Sequence, residues 1–369
     1  MTEIPTEMRR SSREPERLRR ALEGWLRRRY PDAAISGIGT TSSTGLSSDT
    51  LLLTAAWTDE AGHRDERLVA RLAPQPGDVP VFGAYDLDRQ FRLIQAVAAR
   101  SEVPVPPAYW SESDPGFIGT PFFVMGHVDG EVPPDLLPYN FGDSWLFDAT
   151  VEQQRRLQDA TVEMLARLHA IEPLPFLEYA EPGDTPLRRH VAHTRAWYAY
   201  VAGSGARSPL IERALRWLDE HWPAETPAVN CWGDARIGNV IYRDFAPAAV
   251  LDWEMAGLGP RELDVGWFVY AHRGFEDLAH GLGLPGMPGF MRRDDVLAVY
   301  AAASGHEPRE LDFYETYAAI QFAIVYLIVG LRAVHFGERE MPADPDEFLY
   351  NRDPLERMLA ATYFEERDA

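Results

Sequence analysis

One stretch, Ala228 to Tyr270, constrains this chain more than any other: AVNCWGDARIGNVIYRDFAPAAVLDWEMAGLGPRELDVGWFVY. An apolar approach ends in Trp232-Gly233-Asp234, and Asn239 stands five positions after Asp234. A short β-rich pair follows, Val240 to Tyr242 and then Ala248 to Leu251, joined by Arg243-Asp244-Phe245-Ala246-Pro247. It delivers a second acid in Asp252-Trp253-Glu254. Singly, Asp and Asn are ordinary turn residues. Three polar residues in this order, with strands between them, are a pattern that chemistry uses.

The pattern has the spacing of a phosphoryl-transfer site. In protein kinases a catalytic-loop Asp accepts the hydroxyl proton, an Asn five residues later holds Mg²⁺, and an Asp after the next hairpin holds metal between the phosphates. A transferred γ-phosphoryl carries charge on several oxygens, so the site needs hard oxygen ligands to seat Mg²⁺ against them. Asn239 and Asp252 are the candidate metal ligands. Asp234 must stay ionised and face the acceptor hydroxyl, where it positions and accepts a proton.

GDARIGN followed by VLDWEMAGLGPRELD resembles the aminoglycoside phosphotransferase family, also called the phosphotransferase enzyme family. The resemblance covers about residues 35 to 340. It implies a kinase-like fold and a family that includes choline, homoserine and macrolide kinases and domains fused to acyl-CoA dehydrogenases. GDARIGN with DWE is more like the acyl-CoA-dehydrogenase-associated and actinobacterial branches than the resistance enzymes. The family has His-Gly-Asp where this chain has Trp232-Gly233-Asp234. That His is not the proton acceptor, so the change implies altered loop packing with the chemistry kept. Asp264 matches the later family Asp that braces the catalytic loop.

Charge and composition exclude other classes. A net charge of −21 argues against a nucleic-acid surface and would suit a cationic substrate. There is no lysine: all 36 Lys+Arg positions are arginine. A GxxxxGK[ST] P-loop and a Schiff-base mechanism are therefore impossible. Neither a GxSxG elbow nor an HExxH occurs, which leaves a hydrolase or zinc-protease reading little support. The single cysteine, Cys231, cannot form an intramolecular disulfide and reads as a packed thiol. The charged start MTEIPTEMRRSSREPERLRR lacks the apolar core of a signal peptide. The most apolar run, Ala318 to Gly330, is too short to span a bilayer and contains Gln321, so it reads as a buried helix. We expect a cytoplasmic protein without nucleic-acid or membrane partners.

Along the chain, Glu14 to Tyr30 carries Leu18, Leu22 and Leu26 at helical spacing, with Ser11, Ser12 and Pro15 as start signals. From Ile35 to Leu72 the pattern is strand-like. The small-residue loop 41–48 between strands, with Ser43, Thr44 and Gly45, can lay amides and hydroxyls over phosphates. Arg71 in Leu68-Val69-Ala70-Arg71-Leu72 falls where the family places its phosphate-pairing basic residue, a task arginine performs bidentately. Tyr85 to Ala99 puts Leu87, Phe91, Ile94, Val97 and Ala98 on one helical face. A kinase-like helix would offer a Glu to pair the basic residue; here Gln90 stands there, and a Gln–Arg hydrogen bond is weaker than an ion pair. Gly119 to Met125 reads as the last strand of a first lobe, running into a hinge Gly126-His127-Val128-Asp129-Gly130. In the family, adenine bonds to hinge backbone, which makes Met125, Gly126 and His127 candidate nucleotide contacts. Pro133 to Thr150 reads as a lobe-crossing loop, and Val151 to Ile171 as an amphipathic helix ending at His169, a packing or capping residue. His190 and His193, three apart, have no acidic or cysteine ligand beside them in sequence, which speaks against zinc. Leu187 to Trp222 and Arg292 to Phe364 read as helical.

The expectation is an α+β, two-lobe, protein-kinase-like fold, with a small mixed N-lobe holding an antiparallel sheet and a larger, mainly helical C-lobe. Residues 1–125 would form the nucleotide-binding lobe with a leading helix at about 14–30, 126–130 the hinge, and 131–369 the lobe with catalytic loop and acceptor site. The expected activity moves the γ-phosphoryl of Mg–ATP (GTP being the alternative nucleotide) to a hydroxyl of a small molecule, aminoglycoside-like or another hydroxylated metabolite. Asp234 would act on the acceptor and Arg236, beside it, could reach a phosphate or form a surface salt bridge. The rival reading is a nucleotide-binding pseudokinase acting through partners, favoured by Gln90 and Trp232. Oligomeric state is not readable from the sequence.

Overall fold

The computed structural model describes residues 14–40, 49–135 and 138–367. The expected phosphate-covering residues Ser43, Thr44 and Gly45, and the start signals Ser11 and Ser12, lie outside the described residues.

The first helix, α1 (Pro15–Arg27), starts with proline at its first position, where no backbone donor is lost, and buries Leu18, Leu22, Trp25 and Leu26 on one face. Five strands follow in an antiparallel sheet: β1 (Ala34–Thr40), β2 (Asp49–Asp59), β3 (Gly62–Leu72), β4 (Ala108–Glu112) and β5 (Phe122–Gly126). Their spatial order is β1-β2-β3-β5-β4. Between β3 and β4 runs α2 (Leu87–Arg100), begun by Asp86, whose carboxylate accepts from the Arg89 amide at 2.9 Å.

Period-two alternation divides the sheet into two faces. Leu68, Ala70 and Leu72 of β3, with Phe122 and Val124 of β5, join the α1 side chains in one apolar cluster. Val69, Phe123 and Met125 point the other way and pack with Phe91, Ile94 and Val97 of α2. That second cluster is continuous with the core of the helical lobe. Arg71 shares the parity of Val69 and therefore faces the gap between the lobes. In α2 the buried face is Leu87, Gln90, Phe91, Leu93, Ile94 and Val97; the expected member Ala98 is exposed and Leu93 takes its part.

Most of the remainder is helical: α3 (Val151–His169), α4 (Pro186–Gly203), α5 (Pro209–Glu220), then α6 (Glu262–Gly281), α7 (Arg293–Ser304), α8 (Leu311–His335), α9 (Arg352–Leu359) and α10 (Thr362–Arg367). A reciprocal capping box between Thr150 and Gln153 fixes the start of α3. The apolar run at 318–330 proves to be the middle of α8, which has 25 residues and is long and apolar enough to cross a membrane by length and composition. The estimate of a run too short to span was therefore wrong for the helix. Most of its apolar stretch is packed inside the lobe, as befits the buried helix that was expected.

Candidate active site

Two small ladders between α5 and α6 build the site. Strand β6 (Ala228–Cys231) pairs antiparallel with β9 (Gly257–Pro260), and β7 (Val240–Arg243) pairs with β8 (Ala246–Val250). The second ladder is nested inside the first, so the chain passes from outer to inner pair at 232–239 and back at 251–256. Asp234 and Asn239 sit on the outward passage and Asp252 on the return. The Leu251 amide bonds the Asn239 carbonyl at 2.9 Å, tying the passages together at the residue before Asp252. Gly233 adopts φ +89°, and a Cβ there would collide with the Met255 carbonyl, so only glycine lets the passages approach this closely.

Asp234 is held on three sides. Its Oδ1 accepts from Trp267 Nε1 at 3.0 Å and Arg236 Nε at 2.9 Å, and its Oδ2 from Asn239 Nδ2 at 2.7 Å. Three donors on a half-buried carboxylate fix its direction. The loop carrying it is braced from below by Asp264, which is fully buried and accepts from the amides of Trp232 (2.6 Å) and Gly233 (2.8 Å). His169 Nε2 lies 2.9 Å from the same carboxylate, and its Nδ1 lies 2.6 Å from the Tyr300 hydroxyl. This pairing suits a ring protonated on Nε2 with Tyr300 donating to Nδ1. His169 is thus a packing residue that orients a brace. Trp232 fills the place of the family histidine with a fully buried indole that donates to the Leu251 carbonyl at 2.8 Å. It adds a further tie between the two passages.

Arg71 corrects one expectation. No hydrogen bond joins it to Gln90. Its Nη1 donates to Thr50, its cross-strand neighbour, at 3.0 Å, while Nη2 lies 2.6 Å from Asp252 Oδ1 and 3.7 Å from Glu254 Oε2. The acid that orders the basic residue therefore comes from Asp252-Trp253-Glu254 instead of α2. Asp252 has φ +53°, a left-handed conformation that a short polar side chain tolerates. Of the two roles expected for Arg236, the structure has the salt bridge. Its guanidinium is clamped between Asp234 and Asp135, in a partly buried bridge instead of an exposed surface pair. Burial pushes the Asp135 carboxyl above its ordinary range, and Arg236 pulls against that shift.

Between the lobes lies a cleft of about 360 Å³. Leu52, Val69 and Ile94 on one side and Ile241, Val250 and Leu251 on the other give it apolar walls. Met125, Gly126 and His127 line one edge, and Arg71 and Asp252 another. Met125 is both core and lining. Burial lowers the His127 pKa, helped by Arg67. A second cavity, about 390 Å³, runs along α6 past Tyr270, Phe322 and Tyr326. Phe322 packs 4.8 Å from Trp267, the indole that holds Asp234.

As oxygen donors, Asn239 and Asp252 suit Mg²⁺. Both side-chain hydrogen bonds of Asn239 are given by Nδ2, to the Asp234 carbonyl and carboxylate, and its side-chain oxygen takes part in neither. Among the described residues no group of three His, Cys, Asp or Glu could hold a metal. One amide and one carboxylate fit an ion whose remaining ligands are water and phosphate oxygens. His193 does have an acid beside it, Glu181 at 2.6 Å, which sequence order had hidden. The sequence reading also missed Asp135, Trp267 and the role of Glu254. Only the last had a signal, its place in the DWE motif.

The model of the phosphotransferase enzyme family matches residues 44–314. The chain is 26% identical over 283 residues to the probable acyl-CoA dehydrogenase IBR3 of Arabidopsis thaliana, covering 72% of this chain and 33% of that protein. It thus spans about a third of that relative's length. Among solved structures it is similar to a protein of Ralstonia eutropha assigned as an aminoglycoside phosphotransferase, at TM-score 0.63 and 21% identity, covering 94% of this chain and 98% of the other. It is also similar to aminoglycoside phosphotransferase APH(4)-Ia, a thermostable mutant bound to ADP and hygromycin B, at TM-score 0.54 and 14% identity, covering 92% and 98%.

Proposed function

Because this chain belongs to the phosphotransferase enzyme family, we propose that it is a small-molecule kinase that transfers the γ-phosphoryl of ATP to a hydroxyl of a molecule held beside Asp234. The observation that carries the reading is the three-donor cradle of Asp234, next to a cleft where Arg71 and Asp252 meet. A carboxylate fixed in this way orients the acceptor hydroxyl and takes its proton as the new P–O bond forms. Arg71 holds phosphate oxygens, and Ser43, Thr44 and Gly45, small residues outside the described ones, are the proposed source of further amide and hydroxyl donors to them. Asn239 and Asp252 would hold Mg²⁺, which when bound neutralises phosphate charge. The adenine lies against hinge backbone at Met125, Gly126 and His127. Arg236 serves by positioning Asp234. The acceptor enters along Tyr270, Phe322 and Tyr326. The lobe boundary falls in the hinge at 126–130, between 1–125 and 131–369, and the setting is the cytoplasm.

APH(4)-Ia, the similar structure solved with ADP and hygromycin B, supports a nucleotide and a hydroxylated small molecule as the two ligands. The pseudokinase alternative loses one of its two supports, because Glu254 and Asp252 supply the acids that Gln90 does not.

A thermal-shift titration with ATP and GTP, each with and without Mg²⁺, tests the reading, since a ligand of the folded state raises its melting point by mass action. We expect a Mg²⁺-dependent rise that also names the preferred base, and loss of the Mg²⁺ dependence in Asp252→Ala. No shift with either nucleotide would refute it.

A further inference from the structure

A third cavity, about 300 Å³, lies between α2, α4 and the Trp253–Met255 segment. It shares Gln90 and Trp253 with the nucleotide cleft, and it is lined by neither Asp234 nor the α6 residues of the acceptor cavity. Its walls carry the aromatic rings of Phe82, Tyr179, Trp197 and Tyr200. One corner is cationic. Arg89 Nη2 donates to the Leu177 carbonyl at 2.7 Å, and its guanidinium lies 5.0 Å over the Tyr179 ring. Its Nε is buried without a hydrogen-bond partner, and no carboxylate lies within ion-pairing distance of it among the described residues.

His190 stands on the same wall and is 4% exposed. Its Nδ1 lies 2.8 Å from the Tyr317 hydroxyl, while Nε2 is buried and unpartnered. Burial, with His193 and Arg89 nearby, lowers its pKa to about 3, so the ring is neutral. The Tyr317 hydroxyl also lies 3.2 Å from the His190 carbonyl, to which it can donate; with that proton turned to Nδ1 instead, Nε2–H is a donor. The two acids on the wall are already engaged: Asp86 caps α2, and Glu254 lies 3.7 Å from Arg71. Buried donors without acceptors are costly, and an anion is the ligand that removes that cost.

We propose that this cavity binds a small monocarboxylate with an aromatic or branched apolar body. Its carboxylate would lie on Arg89 and His190, and its body among Phe82, Trp197 and Tyr200. The volume is at the lower end for a small-molecule site and suits a compact ligand. Because Trp253 and Glu254 form part of the wall, an occupant steadies the segment whose acids hold Arg71, and so favours nucleotide binding.

The test is calorimetric titration of the whole protein, without nucleotide, using 3-phenylpropionate and its neutral counterpart 3-phenylpropanol. The carboxylate should bind at least about tenfold more tightly, the factor a charge-assisted hydrogen bond supplies. Arg89→Met should remove that preference. Ala196→Phe, an exposed position on the rim, should block both ligands without disturbing the core. No binding, equal binding of acid and alcohol, an unchanged preference in Arg89→Met, or undiminished binding in Ala196→Phe would overturn the proposal. These arms need no nucleotide, so they stand apart from the phosphotransferase reading. In a further arm, MgADP should bind about threefold more tightly with carboxylate present; unchanged affinity would overturn the coupling.

Discussion

Arg71 on the sheet and Asp252 on the helical lobe meet across the cleft, guanidinium Nη2 to carboxylate Oδ1, at 2.6 Å. Both side chains are largely withdrawn from water, at 8% and 13% exposure, so this contact is screened far less than a surface pair. Arg71→Met should lower kcat/KM by about a hundredfold or more, the range seen when a charge-stabilising donor is lost. Glu254→Gln should cost about tenfold and Gln90→Leu less than about threefold, on the same reasoning. Steady-state kinetics with a substrate found by acceptor screening would decide. A Gln90 effect as large as that of Glu254 would return the pairing role to α2.

Trp267 touches Asp234 from a helix that begins 28 residues after it in sequence. Trp267→Phe keeps the ring and deletes one donor to the carboxylate, so kcat should fall by about tenfold with KM for ATP unchanged. Asp234→Asn should abolish transfer while MgATP still binds. A Trp267→Phe variant that raised KM for ATP with kcat intact would show that the indole does not act through Asp234.

The Arg236–Asp135 contact joins the lobe-crossing loop to the catalytic loop. Removing one partner leaves the other poorly solvated, so Arg236→Met and Asp135→Ala should each destabilise by about 2–4 kcal/mol. The double variant should lose less than the sum. Denaturant melts of the four proteins measure this, and strict additivity would mean the groups do not interact in solution.

Two buried histidines predict an acid-sensitive fold. Burial lowers the His190 pKa to about 3 and the His272 pKa to about 4, from an ordinary 6.5. The unfolded chain therefore takes up protons that the folded chain refuses as pH falls below 6.5, and stability drops until the folded pKa values are reached. Between pH 6.5 and 5 each histidine should cost about 2 kcal/mol. Urea midpoints at pH 7 and 5 should show the loss, and His272→Gln should make it smaller. An identical loss in that variant would refute the assignment to His272.

How much could be read beforehand follows from the range of each interaction. Asp234, Asn239 and Asp252 were legible because the nested ladders are local, and their spacing survives in sequence. Helices α1 and α3 were legible from apolar period, and α1 also from the Pro15 start signal. Asp135 was not, because its partner stands 101 positions away and no local pattern links them. The true length of α8 was obscured by Asp312 and Glu315 in its first turns. Glu315 looks like a surface residue in sequence but is fully buried against Arg293. Gln90 misled for another reason: a position inherited from the kinase pattern was expected to supply the acid, whereas here the acids arrive from Asp252 and, farther off, Glu254.

The nesting of one ladder inside another has a mechanical meaning. Asp234, Asn239, Asp252 and Glu254 all ride on a single closed loop of chain whose ends are stitched together by β6 and β9. Arg71 belongs to a different body, the five-stranded sheet. A swing of one lobe against the other would carry the four polar residues together as one unit and change only the arginine's distance from them. The gap between Arg71 and Asp252, 2.6 Å in this structure, would therefore be the gauge of any such opening.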